Sequence, residues 1–182
     1  MSDVISRAAF AAQSDLSESE LDLRLQRRLA ALEALAERDP HRARAIALRL
    51  IRALHDLTGI AVRPPVARLM AAMDRALRGD IRWEVVERVH RLDATFFFNA
   101  TMFGGKGYAS ALVCHLASHL SARRPNFRYV ADGALRLLER RNPVERDDIQ
   151  VGFSRAAALH ALLAALSQPE PQFDAPEGGA ES

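Results

Sequence analysis

From Leu16 to Leu166 apolar side chains return every three or four residues, and the breaks in that rhythm fall on prolines and glycines. This spacing constrains the fold more than any other feature. A repeat near 3.6 stacks apolar groups along one side of a helix, whereas a strand needs strict alternation. A chain patterned this way buries its stripes by packing helix on helix.

The clearest start is at Ser17. With Glu20 it forms a capping box, and Leu16 and Leu21 occupy the staple positions on either side. Leu21, Leu25, Leu29, Leu32 and Ala36 carry the stripe to about Arg38. Asp39-Pro40 then reads as the cap and first residue of a second helix, with Ala43, Ala47, Leu50, Leu54 and Leu57 as its core side and Gly59 as its stop. The link is so short that these two helices form a hairpin.

Arg63-Pro64-Pro65 begins a third helix that ends at Gly79. Asp80 is positioned to cap a longer one from Ile81 to about Phe103. The second half of that helix, Ala94–Phe103, is apolar nearly all round, so it belongs at the centre of a bundle or beneath a partner. Gly104-Gly105-Lys106-Gly107 interrupts it, Tyr108–Ala122 resumes it, and Pro125 stops it. Residues 126–141 mix strand-like Phe127, Tyr129 and Val130 with helix-like Ala134, Leu135 and Leu138. A lone strand would have no pairing partner, so helix is expected there. Asp147 or Asp148 opens the last helix, with Phe153 in its stripe.

The expected fold is therefore all-α, a compact bundle of about seven or eight helices around a central apolar one. Residues 1–15 form a weakly ordered segment with a short helix near Val4–Ala12, residues 16–167 one helical domain, and residues 168–182 a disordered acidic tail.

One cysteine, Cys114, excludes an internal disulfide framework and a cysteine-based zinc cluster. No apolar run is long enough to cross a bilayer, and no signal sequence is evident, so a cytoplasmic location is expected. Of the 25 basic residues, 24 are arginine, beside 33 alanines; that pairing points to GC-rich codon usage as much as to function. The tail adds Glu170, Asp174, Glu177 and Glu181 with no base, whereas 11 arginines face 5 acids between Pro40 and Arg91. A basic surplus of that kind attracts phosphate or an acidic partner.

Few constellations carry chemistry. His115 and His119 are four residues apart, so both imidazoles share a helix face where a metal could bind, but no HExxH surrounds them. Packing at a polar core edge is the plainer reading. The glycines around Lys106 lack the P-loop spacing and its Ser/Thr. Gly152-Phe153-Ser154 with His160 is not a nucleophile elbow. Cys114 and His115 point about 100° apart on a helix, which defeats a nucleophile–base pair.

These readings favour a non-enzymatic interaction protein: a subunit, adaptor or accessory component that meets a protein partner or its own copy through Phe96, Phe97, Phe98, Met102 or Phe103. The first alternative is a nucleic-acid-associated protein using Arg42, Arg44, Arg49, Arg52 and Lys106. The second is a metal-dependent enzyme using His115 and His119. No cofactor is expected.

Overall fold

The computed structural model describes residues 16–102, 108–139 and 152–167. Eight helices make up these residues, with no strand among them. None is long and apolar enough to cross a membrane.

Helix α1 (Glu18–Arg38) opens with the capping box: the Ser17 N–H donates to Glu20 Oε2 at 2.8 Å and the Glu20 N–H to Ser17 Oγ at 3.2 Å. Asp39 both closes α1 and opens α2 (Pro40–Thr58). Its N–H donates to Leu35 O at 2.8 Å, and its carboxylate accepts from the Arg42 N–H at 3.1 Å. Gly59 ends α2 at φ 69°, a left-handed conformation that side chains with a Cβ resist. Helix α3 spans Pro64–Leu77.

The long helix expected from Ile81 is two helices, α4 (Trp83–Leu92) and α5 (Ala94–Met102). Arg82 precedes α4 with no side-chain cap, so Asp80 does not open it. The break is at Asp93, whose carboxylate takes a two-pronged grip from Arg68 (Nε to Oδ2 3.2 Å, Nη2 to Oδ1 2.9 Å). Breaking there lets α4 lie on α3 while α5 lies on α6 (Tyr108–Leu120). The ambiguous segment is helical: α7 (Phe127–Glu139) buries Phe127, Val130, Ala131, Ala134, Leu135, Leu137 and Leu138. The last helix, α8 (Arg155–Ser167), starts later than expected, capped by Ser154 Oγ accepting the Ala157 N–H at 3.2 Å. Phe153 lies in the preceding link, its N–H donating to Leu138 O. Asp147 and Asp148, the segment 1–15 and the tail 168–182 lie outside the described residues.

The centre belongs to α2 rather than to the phenylalanine segment. Helices α1, α8, α7, α6 and α3 follow one another in an arc, and α2 packs on all five. Ala45, Ile46, Ala47 and Leu48 are consecutive and all buried, which encloses α2 at this turn, while Arg42 before it and Arg52 and Asp56 after it are exposed. The alanines let neighbouring helices approach closely.

Arginines clasp the arc from outside. Arg128 reaches from α7 to Glu33 (2.8 Å) and Gln26 (2.8 Å) on α1. Arg155 meets Glu139 (3.2 Å), and Arg28 donates twice to Leu166 O near the end of α8. Exposed ion pairs are individually weak, so the clasps fix orientation more than they add stability.

Candidate functional site

The three consecutive phenylalanines of α5 have three different surroundings, because neighbours on a helix point about 100° apart. Phe97 is buried, 4% exposed, with its ring stacked on the His90 imidazole of α4 at 4.9 Å and 18°. Phe96 is half-buried, edge-on to Phe97 at 5.3 Å, with the Arg63 guanidinium 5.8 Å above its ring. Phe98 is 63% exposed. The segment is thus not shielded on all sides, and among the three only Phe98 offers itself outward. The Met102 side chain and all of Phe103 lie outside the described residues.

The sequence places Leu92 in the apolar alternation of Trp83, Val86 and Val89, but it is 84% exposed at the end of α4. Nine residues beyond buried Trp83, it sits half a turn away from that core position. Leu92 on α4 and Phe98 on α5 are thus two of the exposed large apolar groups, with Leu23, Val62 and Tyr129 elsewhere.

A histidine cluster joins α4, α6 and α7. His90 Nε2 is 2.6 Å from Ser118 Oγ on α6. His115 Nε2 is 2.7 Å from the Tyr129 hydroxyl on α7. His115 and His119 meet edge to face at 4.6 Å, and His119 lies 4.5 Å from the Tyr129 ring. Burial holds the pKa of all three histidines below the ordinary value; Arg91 adds to this for His90, His119 for His115, and His90 for His119.

The i, i+4 pairing of His115 and His119 is thus real, but Tyr129 occupies one ring nitrogen. Among the described residues no three His, Cys, Asp or Glu side chains converge on a metal position. Ser118 and His90 have the distance of a hydroxyl and its base. Ser118 sits inside α6, however, where the backbone N–H groups are spent on the helix and cannot serve as oxyanion donors. As built, the pair ties α4 to α6. Cys114 is buried on the α6 packing side, and burial pushes its thiol up to about 11.

The proposed basic stripe on α2 is largely committed. The Arg44 guanidinium lies 4.4 Å over the Trp83 ring and donates to Arg123 O at 3.0 Å. Burial and the neighbouring Arg123 lower its pKa. Arg52 pairs with Asp74 at 3.7 Å. Arg42 is exposed and Arg49 half-buried; Lys106 lies outside the described residues. Exposed arginines with no ion pair to any described residue occur across the surface: Arg24, Arg27, Arg38 and Arg136, and around α3–α4 Arg75, Arg82, Arg88 and Arg91, the last near enough to Glu87 to help lower its pKa. Arg88 and Arg91 precede Leu92 on the outer side of α4.

Compared with protein-family models, curated proteins and solved structures, the chain matches none of them.

Proposed function

We propose that this chain is a non-enzymatic helical interaction protein, a subunit, adaptor or accessory component of a complex, and that the outer side of α4–α5 is its docking face. The observation that carries this reading is the exposure of Leu92 at the end of α4 and of Phe98 on α5, with Arg88 and Arg91 exposed on the turns of α4 before Leu92. An apolar anchor rimmed by charge is the usual composition of a protein-binding patch. Nucleic-acid contact through the Arg42–Arg52 face has less support, since Arg44 and Arg52 are already engaged.

The test compares the wild-type chain with the Leu92→Ser/Phe98→Ser double variant by light scattering, alone and in a native lysate. Both side chains are exposed, so the variant should keep its fold. The expected result is an assembly for the wild type that the variant loses without a change in thermal midpoint. A wild-type chain that stays monomeric in both settings overturns the reading.

A further inference from the structure

We propose that His90, His115 and His119 form an acid-operated latch. When the cluster takes up protons, His90 leaves its place against Phe97 and Ser118, and the seam between α4 and α5–α6 opens while the rest of the bundle stays closed.

His90 sits where α4 is lightly held. Helix α4 packs mainly on α3, and its His90 reaches α6 through Nε2 to Ser118 Oγ at 2.6 Å. The same ring covers one face of Phe97, which is otherwise buried. The remaining anchors lie in the first half of α4. Trp83 is under the Arg44 guanidinium of α2, and Glu84 and Glu87 hold Arg123 in the link between α6 and α7. Just past the other end, Asp93 is held by Arg68 of α3. The last turn of α4 can therefore part from α5–α6 without leaving α3.

Histidines stand on both sides of this seam, His90 on α4 and His115 and His119 on α6. His90 acts electrostatically on His119, and His119 on His115. Tyr129 of α7 lies against both α6 rings. The surrounding charges offer little neutralisation. On α4, Arg91 opposes a charged His90 and Asp93 favours it, but Arg68 already grips both oxygens of Asp93. The link between α2 and α3 adds another cation, Arg63, over Phe96. Helix α2 brings Arg44, which answers to Arg123, Glu84 and Glu87. On α7, Arg128 and Asp132 act on one another. Residues 94–102 of α5 include no titratable side chain. Protons on His90 and His119 thus set like charges across a half-buried seam, where water screens them poorly. A charged imidazole over Phe97 gains some attraction to that ring, but this one contact faces repulsion from both Arg91 and His119.

The hinge and the latch respond in different ranges. Arg123 keeps the Glu87 carboxylate ionised down to below about pH 4.3. Between about pH 4.5 and 6.5 the first half of α4 stays fastened while the His90 end is released.

The experiment is hydrogen–deuterium exchange of the full chain, read by mass spectrometry at pH ~7.5 and pH ~5, with each rate divided by the intrinsic rate at that pH. Opening of residues 89–98 should rise about tenfold or more relative to that of residues 43–54 in α2 and 130–138 in α7. In His90→Gln, which keeps a polar partner for Ser118, this pH response should disappear. In His115→Gln/His119→Gln it should shrink about threefold or more, since α6 then no longer charges. The response is a ratio within one variant, so a substitution that weakens the fold equally at both pH values does not mimic it. A rise shared equally by all helices, no rise at residues 89–98, or a response that survives undiminished in either variant overturns the proposal.

Discussion

The imidazole of His90 lies nearly parallel to the Phe97 ring, 4.9 Å away, while its Nε2 reaches Ser118 Oγ at 2.6 Å. One side chain therefore joins α4 to both α5 and α6. The arrangement suits a neutral imidazole, because a protonated ring would sit half-buried near Arg91 and His119. Asp93 favours the charged form, but its carboxylate is already held by Arg68.

That preference fixes the sign of a pH effect. The folded pKa values of His90, His115 and His119 lie below the unfolded one, about 6.5. Above that pH neither state is protonated and the contribution is fully present. As pH falls below it, the unfolded chain takes up protons that the folded chain resists, and stability declines until the folded pKa is passed. The urea midpoint should therefore be lower at pH ~5 than at pH ~7.5. His90→Gln, which keeps a polar partner for Ser118, should flatten part of that slope; an unchanged slope would remove His90 from the account. Glu33 and Glu87 act in a different window. Arg128 and Arg123 hold their pKa values down, so those pairs weaken only as pH falls below about 4.3.

The neighbours Phe97 and Phe98 should differ sharply on truncation. Phe97→Ala removes a ring packed against His90 and Phe96, and should cost about 3–5 kcal/mol by urea denaturation. Phe98→Ala should stay within about 0.5 kcal/mol, since its side chain already stands mostly in water. Equal losses at both positions would mean that α5 is seated differently.

The contrast shows where the sequence was legible. Ser17 with Glu20, Asp39-Pro40 and Gly59 act locally, within a turn of the residues that reveal them, and each helix end they announce is where the structure has it. At the break, Asp93 is held by Arg68, which is 25 residues away in the chain, and no local rule exposes such a partner. The choice of central helix failed for a related reason. Ala94–Phe103 is the more apolar segment, but it packs mainly on α6, whereas the small Ala43, Ala45 and Ala47 let five helices approach α2. At the candidate site, the His115–His119 spacing was readable, but the claim of Tyr129 on His115 was not, because it comes from α7. The arginine surplus was visible as a count; which arginines remain uncommitted emerges only once Glu84, Glu87 and Asp74 take their places.

Cys114 gives a direct check on the α6 packing side. It is 2% exposed, and burial pushes its thiol up to about 11, so almost no thiolate exists at neutral pH. A disulfide-exchange reagent at pH ~8 should label the native chain far more slowly than the urea-unfolded one, by a factor of ~100 or more. Comparable rates would mean that α6 opens readily at this point.

Gly133 reports on how closely α7 approaches α6. A Cβ built at this helical position would come 2.6 Å from Leu116 Cδ2, and Leu116 is fully buried, so its side chain has little room to turn aside. Two effects oppose each other. Alanine for glycine in a helix gains about 1 kcal/mol, whereas forcing a methyl into a packed interface costs about 1–3 kcal/mol. The second should win, leaving Gly133→Ala about 1 kcal/mol less stable. Leu116→Val removes both δ carbons, and in that background the same substitution should become neutral or stabilising. A coupling of about 1–2 kcal/mol across the double-mutant cycle would tie the cost to this one contact. Additive effects would show instead that the backbone of α7 shifts to make room, and that the α6–α7 seam is looser than its buried leucine implies.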